Sequence, residues 1–374
     1  LRPTETAAGV AYALRDVHST QLALGGDDTI LTGIGDKVIL GGYGADAITV
    51  TLAQARVDAG AVTSNMRFAS GDNSSMTFDT TGGMTDLVTM DTLAATGGDD
   101  VVKIGTTLTA GQFGTNMVVA GMGNDTVLVG GAAYDAVLKK LTAGTALSED
   151  ILIGDNGEIH RTAATTDLAA MINRNLMLQA ETKLGDQGGN DIIGSGSGGK
   201  VMLGGFGSDL IAARDGDHIA AGDNAEANFD VNAKNGILRE LKATELTLGA
   251  SDTITLNEGY KVVIGGIGGD ASSFDTIDIA ATGIAHAVGS SISGQTRGLT
   301  GIDAAPTGSS DAEKAEAKGR TGRFVVGDNA TIGFDAKGGL TDIVTSDAIA
   351  ATGGRDAITL GAQSIAAGTD LGYQ

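Results

Sequence analysis

The segment Arg67 to Gly105, RFASGDNSSMTFDTTGGMTDLVTMDTLAATGGDDVVKIG, returns at Arg323 to Gly361 as RFVVGDNATIGFDAKGGLTDIVTSDAIAATGGRDAITLG. The two align without a gap and agree at 21 of 39 positions. A second pair, ALRDVHSTQLALGGDDTI from Ala13 and ILRELKATELTLGASDTI from Ile237, is offset by 224 residues. The tripeptide GDN recurs at Gly71, Gly154, Gly222 and Gly327. Such a chain is an array of one small unit, and no unit of this kind buries its apolar face alone, so neighbours must stack to make a core. The count gives about five units, over 1–70, 71–153, 154–221, 222–326 and 327–374, in one continuous body.

A finer period runs inside the units. Asp28 and Asp46 are 18 residues apart, as are Asp191 and Asp209, and Asp252 and Asp270. Runs such as DTILTG, KVILGG, DAITV and KVMLGG are short, β-branched and bounded by glycine, the mark of strands between tight turns. Alternation within them predicts one side chain inward and the next outward. The 60 glycines and only two prolines fit many turns and no collagen period. Aromatic residues are 3%, so the core is built of small aliphatics, which suits narrow repeated layers. The expected fold is all-β, a parallel β-solenoid with inserted loops. The stretch 284–320 reads as a mobile insert, and a helical patch is expected in AYDAVLKKLTAG, with a weaker one in TDLAAMINRNLMLQAE.

The net charge of −22 argues against nucleic acid, whose binding needs a basic footprint. It fits a solvated acidic surface or bound cations. No cysteine is present, so disulfide frameworks and thiolate metal sites are excluded. No apolar run reaches the length of a membrane span. The first residues lack both a starting Met and a signal-peptide core, and the chain reads as part of something longer. GSGSGG at Gly194 opens no helix and is not a dinucleotide site. His18, His160, His218 and His286 are scattered and read as solvated positions, and DGDH at Asp215 to His218 reads as a turn before a strand. No catalytic constellation stands out, and an enzyme is not expected. GDN reads as a left-handed turn, or as a carrier of calcium-binding Asp72, Asp155, Asp223 and Asp328. Lys37, Lys200 and Lys261 stand midway between the paired aspartates, either as solvated strand starts or as ammonium groups in place of a cation.

GGYGADAIT at Gly41 and GGFGSDLIA at Gly204 match in full the pattern GGxGxDxUx, with U a large aliphatic. AGMGNDTVL at Ala120 misses one glycine, and GGIGGDASS at Gly265 lacks the aliphatic. This resembles the calcium-binding nonapeptide of the repeats-in-toxin family, in a degenerate form that covers about half of the chain. Calcium takes six to eight oxygen ligands, and a glycine turn with an aspartate supplies carbonyls and charge at one spot. The resemblance implies a β-roll with Ca²⁺ in its turns. Carried over by motif, the ligands are Asp46, Asp209 and Asp125, with carbonyls around Gly42, Gly44, Gly205 and Gly207. Asp28, Asp100, Asp191, Asp252, Asp270 and Asp356 follow from the half-matches.

The resemblance further implies secretion to the bacterial surface, by a type I route, and folding coupled to external calcium. The expected role is a structural or adhesive extracellular rod that continues in a longer chain or stacks end to end into filaments. The alternatives are the calcium-binding C-terminal domain of a secreted enzyme, and a surface-layer lattice protein.

Overall fold

The computed structural model describes the chain from residue 2 to 361. It leaves out 107–113, 231–236, 269–273, 280–322 and 347–355, and shorter stretches of one to four residues. The 284–320 insert therefore lies outside the described residues. The described elements are all strands, and no α-helix occurs among them. No helix among the described residues is long and apolar enough to cross a membrane.

Three large sheets carry the molecule. The middle sheet holds eight strands: Lys37–Leu40, Asn65–Ser70, Gly114–Val119, Glu149–Ile153, Lys200–Gly205, His218–Asp223, Lys261–Gly266 and Arg323–Asp328. A flanking sheet holds nine: Thr29–Thr32, Ala47–Ala53, Val101–Thr106, Thr126–Val129, Ile192–Gly194, Leu210–Ala213, Thr253–Leu256, Thr276–Ile279 and Ala357–Leu360. Every pairing inside these two sheets is parallel, and each strand lies beside the next of its own sheet in chain order. The chain passes back and forth between them. In the shortest circuit Ile192 pairs with Leu210 and Lys200 with His218, so the 18-residue spacing is one passage through both sheets.

The third sheet is antiparallel and was not anticipated. It joins nine strands in the order Asp16–His18, Ser74–Phe78, Met84–Thr89, Gly157–Arg161, Met177–Thr182, Ala225–Asp230, Ile237–Ala243, Ala330–Phe334 and Leu340–Thr345. After each GDN the chain leaves the parallel pair, makes one hairpin here, and returns.

The middle sheet is sandwiched. Val201, Leu203 and Ile219 face the antiparallel sheet and share one core cluster with its Met76, Leu87 and Ile159. Met202 and Ala220 face the flanking sheet and meet Ile211 and Ile254. The inward–outward alternation expected from the sequence therefore holds in the outer layers, as in the pattern of Ser74–Phe78, and fails in the middle one. All six residues of Lys200–Gly205, and all six of Lys261–Gly266, are buried. Strands covered on both faces read as continuous apolar runs, and each buried aliphatic contributes about 1.5–3 kcal/mol.

Neither helical patch is helical where it is described. AYDAVLKKLTAG forms a hairpin of Ala133–Asp135 and Lys140–Thr142. The Asp135 carboxylate accepts the amides of Val137 and Leu138 at 2.9 and 3.0 Å, and Lys139 turns the chain at φ 48°. Apolar residues at 134, 137, 138 and 141 imitate helical spacing, yet Val137 and Leu138 stand exposed at the hairpin tip. The hairpin lies on the outer face of the flanking sheet, where any side chain at Gly194 would strike Ala132 and Leu141. The stretch from Thr166 to Glu181, where it is described, falls in strands Thr165–Asp167, Ile172–Arg174 and Met177–Thr182, with Leu176 between the last two.

Candidate functional site

Each direct passage from the middle to the flanking sheet, one without a hairpin between, begins with a glycine turn, and its glycines have separate tasks. At Gly41 a Cβ would collide with the Gly71 carbonyl and with Oδ2 of Asp46. At Gly204 it would collide with the Gly222 carbonyl and Oδ2 of Asp209. The first glycine thus makes room for the carboxylate. Gly42 and Gly44 have φ of 115° and 110°, and Gly205 and Gly207 have 119° and 118°, a region that L side chains avoid. Gly204→Ala is expected to cost about 3 kcal/mol, because the new methyl meets backbone and a fixed carboxylate, neither of which can yield. Chemical denaturation of the variant measures it.

The aspartates that end these turns form one file across the stacked circuits. The amide of Asp28 donates to Oδ1 of Asp46 at 2.7 Å, Asp46 to Asp100 at 2.6 Å, and Asp100 to Asp125 at 2.7 Å. Asp125 donates to Asp191, Asp191 to Asp209 and Asp209 to Asp252, each at 2.7 Å, and Asp252 to Asp275 at 2.9 Å. The amide of Ala357 donates to the Asp275 carbonyl as that of Ala47 does to Asp28, which sets Asp356 next in the file. Eight of the nine aspartates named from the sequence are thereby brought together. The ninth, Asp270, lies outside the described residues, and Asp275 fills its place in the file. The pattern FDTI, strand-starting like GDDTI and GASDTI, is the signal that locates Asp275.

Seven of these carboxylates accept the preceding amide through Oδ1. Oδ2 of Asp46, Asp100, Asp125, Asp191, Asp209, Asp252 and Asp275 is buried and has no hydrogen-bond partner. Burial pushes the Asp46 carboxyl up to about 6, with the Asp28 charge adding to it. Burial likewise raises Asp275 to about 7 and Asp100 to about 8, with Asp356 and Asp46 as further negative neighbours. Asp125, Asp191, Asp209 and Asp252 are held well above the ordinary carboxylate range by burial first, with like charges adding to it, from the file at Asp125 and Asp191 and foremost from Asp223 at Asp209 and Asp252. The donor set is hard oxygen throughout, the kind calcium takes. Among the described residues no three acidic, histidine or cysteine side chains converge on one point. A cation in the file would therefore rest on one carboxylate oxygen per circuit together with backbone carbonyls, such as those of Gly71 and Gly222 beside Oδ2 of Asp46 and Asp209.

GDN is not a left-handed turn. Gly71, Gly154, Gly222 and Gly327 have no positive φ. They serve as the first glycine of the motif does, since a Cβ there would strike Oδ2 of Asp100, Asp191, Asp252 and Asp356 respectively. The aspartate caps amides of neighbouring turns: Asp72 takes that of Met122 at 2.6 Å, Asp155 those of Gly189 and Phe206, and Asp223 those of Ala250 and Ile267. Burial first and the Asp100 charge second push Asp72 up to about 10. The asparagine clamps the loop by which the preceding unit returns from the antiparallel sheet to the flanking sheet. Asn73 Nδ2 donates to the Leu22 carbonyl, Asn224 to Gly185 and Asn329 to Leu246. In each of those loops the preceding residue, Gln21, Leu184 or Glu245, has a positive φ. Asn224→Ala is expected to cost about 1–2 kcal/mol, since a buried carbonyl loses its partner. A drop of a few degrees in unfolding temperature checks it.

At the other end of the middle strands runs a second file, of opposite character. Lys37, Arg67, Asn116, Asp150, Lys200, His218, Lys261 and Arg323 occupy one register position on successive strands. Lys200 and Lys261 are fully buried, so they are not solvated strand starts. Lys200 Nζ lies 3.2 Å from Asp150 Oδ2 and donates to the Ser148 and Ser197 carbonyls. Lys261 Nζ donates to the Gly216 carbonyl. Only Lys37, whose Nζ donates to the Asp36 carbonyl at 3.3 Å, is near solvent. Arg67 donates to Asn116 at 2.9 Å, and Asn116 to Asp150 at 2.6 Å. His218 follows the expected DGDH turn but is fully buried, against expectation. Burial, then the Lys261 and Lys200 charges, lowers its pKa well below the usual value, so it is neutral. On the outer face of the antiparallel sheet His160 sits between Asp86 at 2.8 Å and Glu158 at 2.9 Å, partly buried.

No family model, no curated protein and no solved structure matches this chain.

Proposed function

We propose that the chain is a calcium-stabilised structural or adhesive repeat protein of the bacterial exterior, its two parallel sheets wound as a β-solenoid of degenerate repeats-in-toxin type. The observation that carries this reading is the file of seven buried Oδ2 atoms, one per circuit, each without a partner. A buried, unsatisfied carboxylate costs several kcal/mol unless a proton or a cation neutralises it. At neutral pH and millimolar calcium the cation is available, and the chain's net charge of −22 favours it. Asp46, Asp125 and Asp209 would hold the ions, together with Asp28, Asp100, Asp191, Asp252, Asp275 and Asp356. The ion would supply positive charge that lets the circuits stack. Binding free energy then becomes folding free energy.

A scaffold role is supported by where the length varies. The parallel core is regular, while hairpins and inserts of different length leave it between strands. The work of such a body is to hold its edges apart and in order.

Equilibrium dialysis at pH 7.5 tests the metal directly. Several calcium ions bound per chain, reduced in Asp46→Asn with Asp209→Asn, are expected. A stoichiometry of zero at millimolar calcium in the folded protein overturns the reading.

A further inference from the structure

The file at the start of the middle strands is short of negative charge. Arg67, Lys200, Lys261 and Arg323 are all buried in it, and Asp150 is the one carboxylate at its register position. That carboxylate lies 3.2 Å from Lys200 and accepts the hydroxyls of Ser148 and Ser195. Arg67, 1% exposed, is held off from it by Asn116. Asn116 Oδ1 accepts Nη1 of Arg67 at 2.9 Å, and Asn116 Nδ2 donates to Asp150 at 2.6 Å. Asp36, the other carboxylate whose charge reaches Arg67, is exposed and gives Oδ1 to the Met66 amide at 2.9 Å. Among the described residues Nε and Nη2 of Arg67 are buried and have no hydrogen-bond partner. Burial outweighs the charges of Asp150 and Asp36 and lowers the pKa of the guanidinium.

A buried carboxyl escapes its charge by taking a proton, and a buried lysine by giving one up. A guanidinium does not lose its proton in a protein, so its charge stays and must be met by a counter-charge. We infer that Arg67 binds one small anion along the edge formed by Nε–H and the parallel Nη2–H. Two parallel donors match the two oxygens of a carboxylate-type anion of formate size, and they also grip a single chloride ion. Burial of the guanidinium limits the ligand to a small ion and makes its uptake part of folding. Lys37, next in register and near solvent, adds positive charge on the same side. The inference goes beyond the calcium reading and does not rest on it, since the aspartate file lies at the other end of the middle strands.

The test is urea unfolding of the whole chain at neutral pH, with calcium held fixed as its gluconate salt. Sodium chloride, sodium formate and sodium gluconate are compared at matched sodium concentration. Gluconate supplies the same charge in a bulk that a buried guanidinium does not admit. One bound ion is expected to raise the folding equilibrium constant about tenfold for each tenfold rise in anion concentration above its dissociation constant. Arg67→Met, which keeps the apolar stem and removes the charge, is expected to lose that response. A response to formate alone identifies an oxyanion site, to chloride alone a halide site, and to both a site that takes either. A wild type as indifferent to chloride and formate as to gluconate overturns the inference. So does an Arg67→Met variant that keeps the full response. Diffraction from wild-type crystals grown in sodium bromide serves if that variant does not fold. An anomalous peak in contact with Nε and Nη2 of Arg67 is expected, and a water molecule or the Asp36 carboxylate on that edge overturns the inference.

Discussion

Asp150→Ala is expected to lower the unfolding free energy by about 3–5 kcal/mol, the cost of breaking a buried ion pair from one side. Asp150 and Lys200 are both fully buried and 3.2 Å apart. Removing the carboxylate takes away the ion-pair partner of the Lys200 ammonium, with His218 and Lys261 next along the file. It also strips the acceptor from Asn116 and from the hydroxyls of Ser148 and Ser195. Asp150 is the one carboxylate at this register position in a file that holds Arg67, Lys200, Lys261 and Arg323. Lys37→Ala, at the solvated start of the same file, is expected to change stability by under about 0.5 kcal/mol. Urea unfolding of the two variants separates a buried network from a row of surface charges. Equal effects would contradict the assignment.

The second large effect is the response of the aspartate file to pH when calcium is withheld. Asp46, Asp275 and Asp100, with pKa about 6, 7 and 8, stand above the unfolded value of about 3.9. A carboxyl raised on folding contributes its stability in full below the unfolded pKa and loses it as pH rises through the folded pKa. In chelator the protein is therefore expected to grow less stable from about pH 5 to pH 8. The file titrates as a coupled set, so the transition is broad. His218 acts in the opposite direction. Its folded pKa is lowered, so its contribution is full above about 6.5 and fades as pH falls. The acid limb is thus shallower than the aspartates alone would make it. With calcium bound the carboxylates are ionised, protons compete with the metal, and the slope reverses.

The parts legible in the sequence were those with a period. Glycine pairs, β-branched runs and the 18-residue spacing located strands, turns and eight of the file's aspartates. What escaped had no period or had a misleading one. The hairpins of the antiparallel sheet sit in the stretch after GDN, where alternation such as SSMTF, with Met76 and Phe78 inward, is interrupted by the turn and by bulges. The spacing of Tyr134, Val137, Leu138 and Leu141 imitated a helix, because a hairpin tip can expose apolar residues that no pattern marks as exposed. Lys200 and Lys261 read as solvated because burying an ammonium needs a partner from another circuit. Asp150 is 50 residues before Lys200, and only register joins them. Asp275 carries no glycine motif of its own, and only its place at the start of Thr276–Ile279 marks it.

Thermal unfolding at pH 7.5, followed by the strand signal in circular dichroism, tests the central claim most directly. In millimolar calcium the midpoint is expected to stand well above that in chelator, and to return when calcium is restored. Asp209→Asn, which neutralises the file at one circuit, is expected to narrow the gap. A midpoint that is the same with calcium and with chelator, and that rises on acidification in both, would show that protons neutralise the file instead and would contradict the account.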